Sequence, residues 1–220
     1  MSELVGFESW ALLAGDSPTS RTEWAAVVGA WSEPHRSYHD LAHLAAVLGL
    51  VEELGADADD CDAVRLAAWY HDIAYDPERT DNEEVSAARA RAGLRGLVPD
   101  ARIDEVERLV LLTAGHDPAP DDVNGAVLCD ADLAVLAGPP DAYATYASAI
   151  REEYGHLSDA EFTHGRIAVL ERLLALSTLY RTPEAARQWA DRAAANLTAE
   201  LTLLRARAAS GPATPPPAIG

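Results

Sequence analysis

The stretch AVRLAAWYHDIAYD, residues 63–76, joins an apolar helical run to two chemically active side chains. Residues 63–70 are mostly apolar, and their alanine and leucine content favours a buried α-helix. His71 and Asp72 follow this run directly. A carboxylate at the edge of a core is unfavourable unless it is paired or coordinated, so we expect Asp72 to bind a ligand, to orient His71 or to cap a loop.

Helical spacing dominates the rest of the chain, which has 220 residues, of which 49% are hydrophobic. A domain of this size buries roughly 70% of the surface that its unfolded chain exposes, so it needs no disulfide or metal to hold its fold. The sequence predicts an all-α, single-domain helical bundle over residues 1–208 and a disordered, proline-rich tail over 209–220. The predicted helices cover residues 20–32, 40–55, 60–74, 81–96, 102–115, 130–137, 140–154, 159–180 and 183–208.

Capping signals support several of these helices. Asp81 precedes Glu84, and Ser158 precedes Glu161, with the spacing of a capping box. The segment 116–125, HDPAPDDVNG, predicts a loop by its composition.

The charge balance narrows the classes of function. The formal net charge is −19, and all 17 basic residues are arginines. A strongly acidic surface repels phosphate backbones and anionic lipid, so we expect neither nucleic-acid nor membrane partners. The lack of lysine excludes a P-loop and Schiff-base catalysis. The sequence has neither a signal peptide nor a long apolar stretch, so we expect a cytoplasmic protein.

Two further groups of side chains have the spacing of metal ligands. His39 and His43 lie four residues apart, on one face of a predicted helix, where two imidazoles can approach one ion; a satisfied histidine pair is the alternative. Asp130 and Asp132 flank an alanine, and carboxylates so close repel each other unless a cation lies between them or one is protonated. The alternative is that Asp130 caps a helix and Asp132 lies in its first turn.

Taken in order, these residues resemble the H…HD…D signature of the HD superfamily, a helical fold of metal-dependent phosphohydrolases. Residues 36–39, RSYH, resemble the R-x-x-H that opens the first motif helix, and residues 67–73, AAWYHDI, resemble A-x-L-L-H-D-I. Residues 131–132 resemble the closing A-D pair. The resemblance implies an HD-type bundle and metal-ligand roles for His39, His71, Asp72 and Asp132, with Asp130 as the alternative to Asp132.

A closer resemblance covers most of the chain. The segments RSYHDLAHL, WYHDIAYDP, DNEEVSA, DADLAVLAG, IREEY and HGRIAVL are similar to an uncharacterised bacterial branch of predicted metal-dependent HD phosphohydrolases. That branch carries Y-H-N-x-x-H, whereas this chain has Asp40 in place of the asparagine. The departure affects an amide contact with substrate rather than the metal site, and the resemblance names no substrate.

The resemblance implies one divalent ion (Mn, Mg, Fe, Co, Ni or Zn), which would activate water for attack on phosphorus. Such a reaction also needs a base for the water and a donor for the leaving oxygen. Asp76 follows Asp72 by four residues, and we expect Asp76 or Glu83 to serve; the alternative is that they support a turn and a helix N-terminus. His116 is expected to have no role, to bind the phosphate or, with His43, to hold a second ion.

Arginine is the one cationic side chain available to clamp a phosphate. The candidates are Arg36, Arg79, Arg151 and Arg166, and the alternative for each is a solvated surface arginine. The expected partner is a small phosphorylated substrate such as a nucleotide, bound by a monomer or a homodimer.

Two other functions compete with a phosphohydrolase. One is a di-iron oxygenase on the same helical scaffold, for which His43 and His116 are the additional ligand candidates. The other is a non-catalytic nucleotide-binding or signalling module, against which the intact set of ligand residues argues.

Overall fold

The computed structural model describes residues 3–210, and in that range the chain folds into ten α-helices with no β-strand. The predicted all-α bundle is confirmed. The helices are α1 Phe7–Ala14, α2 Pro18–Trp31, α3 Leu41–Leu54, α4 Cys61–Tyr70, α5 Asn82–Leu94, α6 Asp100–Leu112, α7 Val123–Leu133, α8 Pro140–Glu153, α9 Asp159–Ala175 and α10 Pro183–Ser210. Short 3₁₀ turns cover Glu3–Val5, Gly55–Asp57 and Ala134–Ala137. None of the described helices combines the length and the apolar character needed to cross a bilayer.

Several helix boundaries differ from those that the sequence predicts. Helix α1 was not predicted, and α4 ends at Tyr70 instead of continuing to residue 74. The carbonyl oxygens of Asp72 and Ile73 instead accept hydrogen bonds from the Arg36 guanidinium, which removes them from a helical pattern.

Helix α7 begins seven residues before the predicted boundary at 130, inside the segment predicted as a loop. The Asp122 carboxylate explains this start, because it caps the helix by accepting the Gly125 N–H at 2.9 Å. At the other end of the chain, α10 runs to Ser210, so residues 209 and 210 are helical and not part of a tail. The rest of the predicted tail, residues 211–220, lies outside the described residues.

The two predicted capping boxes have different outcomes. The box of Ser158 and Glu161 is present at the start of α9. Asp81 makes no side-chain cap, because its carboxylate is bound by Arg79 at 2.7 and 2.9 Å.

The core consists of two apolar clusters that meet at α7. The first cluster lies among α1–α7 and is centred on fully buried tryptophans, including Trp31 and Trp69, which are joined by an indole-to-carbonyl hydrogen bond of 2.9 Å. The second lies among the turn after α7 and α8–α10. Ala131 belongs to the first cluster and Leu133 to the second, so the carboxylates of α7 lie at the junction.

Candidate metal centre

Three separate segments bring ligand-type side chains to the junction. His43 lies in the first turn of α3, which the Asp40 carboxylate starts by accepting the His43 N–H at 3.1 Å. His71 and Asp72 follow the end of α4. Asp132 lies in the last turn of α7. All four side chains converge although up to 89 residues (43 to 132) separate them along the chain.

His43, His71 and Asp132 form a compact group that could hold a metal ion. The Nε2 atoms of the two histidines are 3.2 Å apart, and Asp132 Oδ1 lies 3.1 Å from His43 Nε2 and 3.5 Å from His71 Nε2. Atoms bonded to one ion at about 2.1 Å are separated by about 3.0 Å in octahedral and about 3.4 Å in tetrahedral geometry. The observed separations therefore match those of neighbouring ligands of a single ion.

One oxygen of Asp72 approaches this group. Its Oδ2 atom lies 3.2 Å from His71 Nε2 and 4.0 Å from His43 Nε2. Asp72 therefore lies beside the compact group but is not one of its three members. The donor set of the compact group is two imidazole nitrogens and one carboxylate, which several divalent ions accept.

A backbone contact orients His71 for this role. His71 Nδ1 lies 2.9 Å from the Ala68 carbonyl oxygen, which can only accept, so Nδ1 carries a proton and Nε2 points at the cluster. Burial favours the neutral form of His71, but the Asp72 and Asp132 carboxylates raise the pKa of His71 well above its usual value. Protonated His71 thus supplies positive charge that an ion would otherwise supply.

The two carboxylates show the complementary shift. Burial alone would raise the pKa of Asp72 and of Asp132, but His71 beside them lowers both pKa values well below the usual range. His43 behaves differently, since burial lowers the pKa of its imidazole and keeps it neutral, as a metal ligand must be.

His39 lies one step away from this group, beside an acid that the sequence reasoning did not single out. Its Nε2 is 3.9 Å from Asp72 Oδ2, and its Nδ1 is 2.7 Å from Glu153 Oε2. The structure therefore places His43, rather than His39, in the compact group. The sequence hint to Glu153 was its place in the segment IREEY, which carries no mark of burial.

The Glu153 carboxylate accepts hydrogen bonds from five donors and so anchors the segment before α3. Its Oε1 accepts the backbone N–H groups of residues 37, 38 and 39 at 2.8–2.9 Å, and its Oε2 accepts from the Tyr75 hydroxyl and from His39. Burial opposes ionisation, but His39 and these N–H groups lower the pKa of Glu153 to about 2. The carboxylate therefore stays charged and holds the His39 ring with Nε2 facing the cluster.

His116 touches the cluster from the other side. Its Nε2 lies 2.7 Å from Asp132 Oδ2, whereas Asp132 Oδ1 faces His43 and His71. His116 has a φ of 52°, a left-handed conformation that is unusual for a residue with a side chain. Its Nδ1 is buried without a hydrogen-bond partner in the described part of the chain.

Asp130, the alternative ligand, is not part of the cluster. The alternative, that Asp130 caps the start of its own helix, is also wrong, because α7 begins at Val123 and Asp130 lies near its end. Its carboxylate accepts the backbone N–H groups of Arg181 and Thr182 at 2.7–3.1 Å and the Thr182 hydroxyl at 2.7 Å. Residues two apart on a helix point about 200° apart, so Asp130 faces away from the ion site that Asp132 faces.

The candidate general bases lie away from the cluster. Because α4 ends at Tyr70, Asp72 and Asp76 do not lie on one helix, and their spacing of four residues does not bring them to the same side. The Asp76 carboxylate instead accepts the Glu78 N–H, and Asp76 lines an open groove of about 850 Å³ together with Arg79 and Glu153. Glu83, in the first turn of α5, makes no contact with the cluster among the described interactions.

The four candidate phosphate-binding arginines are all bound to protein acceptors. Arg36 is buried and donates to Glu33 and to the backbone oxygens of residues 39, 72 and 73, so it ties the two histidine-bearing segments together. Arg79 pairs with Asp81. Arg36 therefore has a structural role, and Arg79 lines the groove with its charge paired; neither offers a free cation to a substrate.

The remaining two arginines lie in α8 and α9. Arg151 donates to Asp159 and to two carbonyl oxygens. Arg166 is buried and makes a two-pronged salt bridge with Glu200 at 2.9 and 3.0 Å. Their predicted role as direct phosphate clamps is not supported by these contacts.

Comparison of the chain with protein-family models, with curated proteins and with solved structures finds no match in any of the three. The geometry of the cluster is therefore the basis for any assignment of function.

Proposed function

We propose that this protein is a metal-dependent phosphohydrolase of the HD type, which cleaves a small phosphate ester with metal-activated water. The observation that carries the proposal is the compact group of His43, His71 and Asp132, with separations of 3.1–3.5 Å, and Asp72 beside it at 3.2 Å from His71. A divalent ion bound there would lower the pKa of a coordinated water and offset negative charge on a phosphoryl group.

The protein itself supplies a group for proton transfer. Glu153 holds His39 through Nδ1, which leaves Nε2 beside the cluster and 3.9 Å from Asp72. An imidazole oriented in this way can hand a proton to the oxygen that leaves the phosphorus. In this proposal His39 takes the catalytic role first considered for Asp76 and Glu83.

The experiment is a screen for phosphate release from nucleotides and sugar phosphates in the presence of Mn²⁺, Co²⁺ or Mg²⁺. We expect metal-dependent hydrolysis by the wild type and a loss of about 100-fold or more in Asp72→Ala. Asp141→Ala, which removes an exposed carboxylate from α8, is the matched control and should keep its activity. If the wild type releases phosphate from none of these compounds with any of the metals, the proposal is wrong.

One observation favours a second candidate, a di-iron oxygenase. Asp132 directs one oxygen to His43 and His71 and the other to His116, an arrangement in which a carboxylate could bridge two ions. Metal analysis of the purified protein separates the candidates. Two irons per chain would support the oxygenase, and one Mn, Mg, Co or Ni would support the phosphohydrolase.

A further inference from the structure

Two tyrosines, Tyr38 and Tyr146, lie beside the cluster of histidines and aspartates and have no role in the proposal so far. The Tyr38 ring packs on His39 and His43, with centroid distances of 4.9 and 4.8 Å, and on the Tyr146 ring at 4.8 Å. Tyr38 is half-buried, and its hydroxyl has no hydrogen-bond partner among the described residues. A phenol is neutral at pH 7, so the Tyr38 hydroxyl keeps a proton that it can donate.

The buried Arg166 of α9 leaves Tyr146 free to act as a hydrogen-bond donor as well. Arg166 Nη1 donates to the Tyr146 hydroxyl oxygen at 3.3 Å, which leaves the phenol proton without an acceptor among the described residues. The cation of Arg166, held by Glu200, polarises the phenol and strengthens it as a donor. Burial raises the pKa of Tyr146 although Arg166 opposes this, so this phenol is also neutral.

The charges around the cluster limit how much anionic substrate it can hold. Three carboxylates, those of Asp72, Asp132 and Glu153, lie within hydrogen-bond or ion-pair distance of the histidines of the cluster. The arginines considered as clamps are bound to protein acceptors, as described above. The divalent ion and the imidazolium of His39, paired with Glu153, together offset these charges, so additional phosphates would find no free cation.

We propose that Tyr38 and Tyr146 are the donors that bind the phosphoryl oxygens, and that the site therefore accepts esters with one phosphoryl group in preference to polyphosphates. This inference rests on the proposed phosphohydrolase function. It gives Arg166 a positioning role, because Arg166 acts on the substrate only through Tyr146.

The test compares Tyr38→Phe and Tyr146→Phe with the wild type, all loaded with Mn²⁺. The substrates are p-nitrophenyl phosphate, bis(p-nitrophenyl) phosphate and ATP, and inorganic phosphate is the competing ligand. Each variant should lose about tenfold or more in kcat/KM and bind phosphate several-fold more weakly, with unchanged Mn²⁺ affinity. For the wild type, kcat/KM for the better single-phosphoryl ester should exceed that for ATP by about tenfold or more.

The matched control is Tyr70→Phe, because the Tyr70 hydroxyl donates to Glu23 at 2.8 Å in a part-buried contact away from the cluster. It removes the same atom and should leave kcat/KM within about twofold of the wild type. If both site variants behave like this control while the wild type hydrolyses an ester, the tyrosine pair is not the donor set. Equal or better use of ATP overturns the preference for one phosphoryl group.

Failure of the proposed function gives a different pattern. If the wild type binds Mn²⁺ but hydrolyses no ester, the phosphohydrolase proposal fails. Calorimetric titration of inorganic phosphate into the Mn²⁺-loaded protein then still decides the role of the tyrosines. Absent binding, or a phosphate Kd that is the same in wild type and Tyr38→Phe, overturns it.

Discussion

Helix α7 carries two aspartates on opposite sides, the buried Asp130 and the half-buried Asp132. The groups around the first stabilise the fold, whereas those around the second can take part in chemistry. Asp130 is surrounded by backbone N–H groups and a hydroxyl, all of which are permanent donors. Asp132 is surrounded by the imidazoles of His43, His71 and His116, which can lose a proton or bind a metal. A carboxylate satisfied by fixed dipoles needs no ligand, whereas one satisfied by imidazoles alone becomes part of a site when an ion replaces their protons.

The largest expected effect comes from Asp132→Asn, which removes the charge shared by the ion and the histidines. We expect activity to fall about 1,000-fold or more and Mn²⁺ affinity about 100-fold. The reason is that the Asp132 carboxylate would bind the ion directly, and the neutral amide that replaces it is a weak ligand. The measurements are kcat with the best substrate and calorimetric Mn²⁺ titration. Undiminished Mn²⁺ binding would show that the cluster is not an ion site.

Asp130→Asn is the same substitution two residues earlier, and it should act on stability alone. The amide group would point N–H donors at the N–H groups of Arg181 and Thr182, leaving buried donors unsatisfied. We expect a loss of about 3 kcal/mol in the free energy of unfolding, measured with urea, and an unchanged Mn²⁺ stoichiometry. An Mn²⁺ affinity that falls as far as in Asp132→Asn would contradict the division between the two sides of α7.

Glu153→Gln tests whether an anchor outside the ion site serves the chemistry as well as the fold. The pKa of Glu153 is about 2 in the folded protein and 4.5 ordinarily. Its contribution to stability is therefore fully present above about pH 5 and is lost as the pH falls towards 2. We expect the variant to lose about 2–3 kcal/mol at neutral pH, and this difference should shrink as the pH is lowered to about 3.

The same variant should also reduce kcat by about tenfold or more, because His39 loses its charged partner. Stability is followed by urea unfolding at several pH values, and kcat is measured where both proteins are folded. A stability loss with an unchanged kcat would assign Glu153 to the fold alone.

The smallest effect is expected for His116→Asn, since asparagine tolerates the left-handed backbone at this position. Loss of the contact with Asp132 should weaken Mn²⁺ binding by about tenfold and change the free energy of unfolding by less than about 0.5 kcal/mol. His164→Asn, at an exposed position of α9, is the control. A loss of one metal equivalent, instead of a weaker affinity, would make His116 a ligand of a second ion.

Local sequence patterns predict the all-α class and most of the residues that meet at the cluster. Helix periodicity is a local property, so the alanine- and leucine-rich segments predict helices without knowledge of their partners. The cost of burying charge likewise identified Asp72 and the pair on α7 as residues that need partners.

Tertiary structure alone decided which member of each pair reaches the cluster. Asp130 and Asp132 lie in the same apolar stretch, and only the approach of residues 181 and 182, just before α10, gives Asp130 its backbone donors. His43 joins the compact group instead of His39 because Glu153, 114 residues after His39, holds the latter aside. The sequence likewise did not show which arginines have protein partners, since some of these acceptors come from remote segments; Glu200, which binds Arg166, is an example. Spacing along a helix sets the direction of a side chain, but the partner it meets is set by the packing of distant segments.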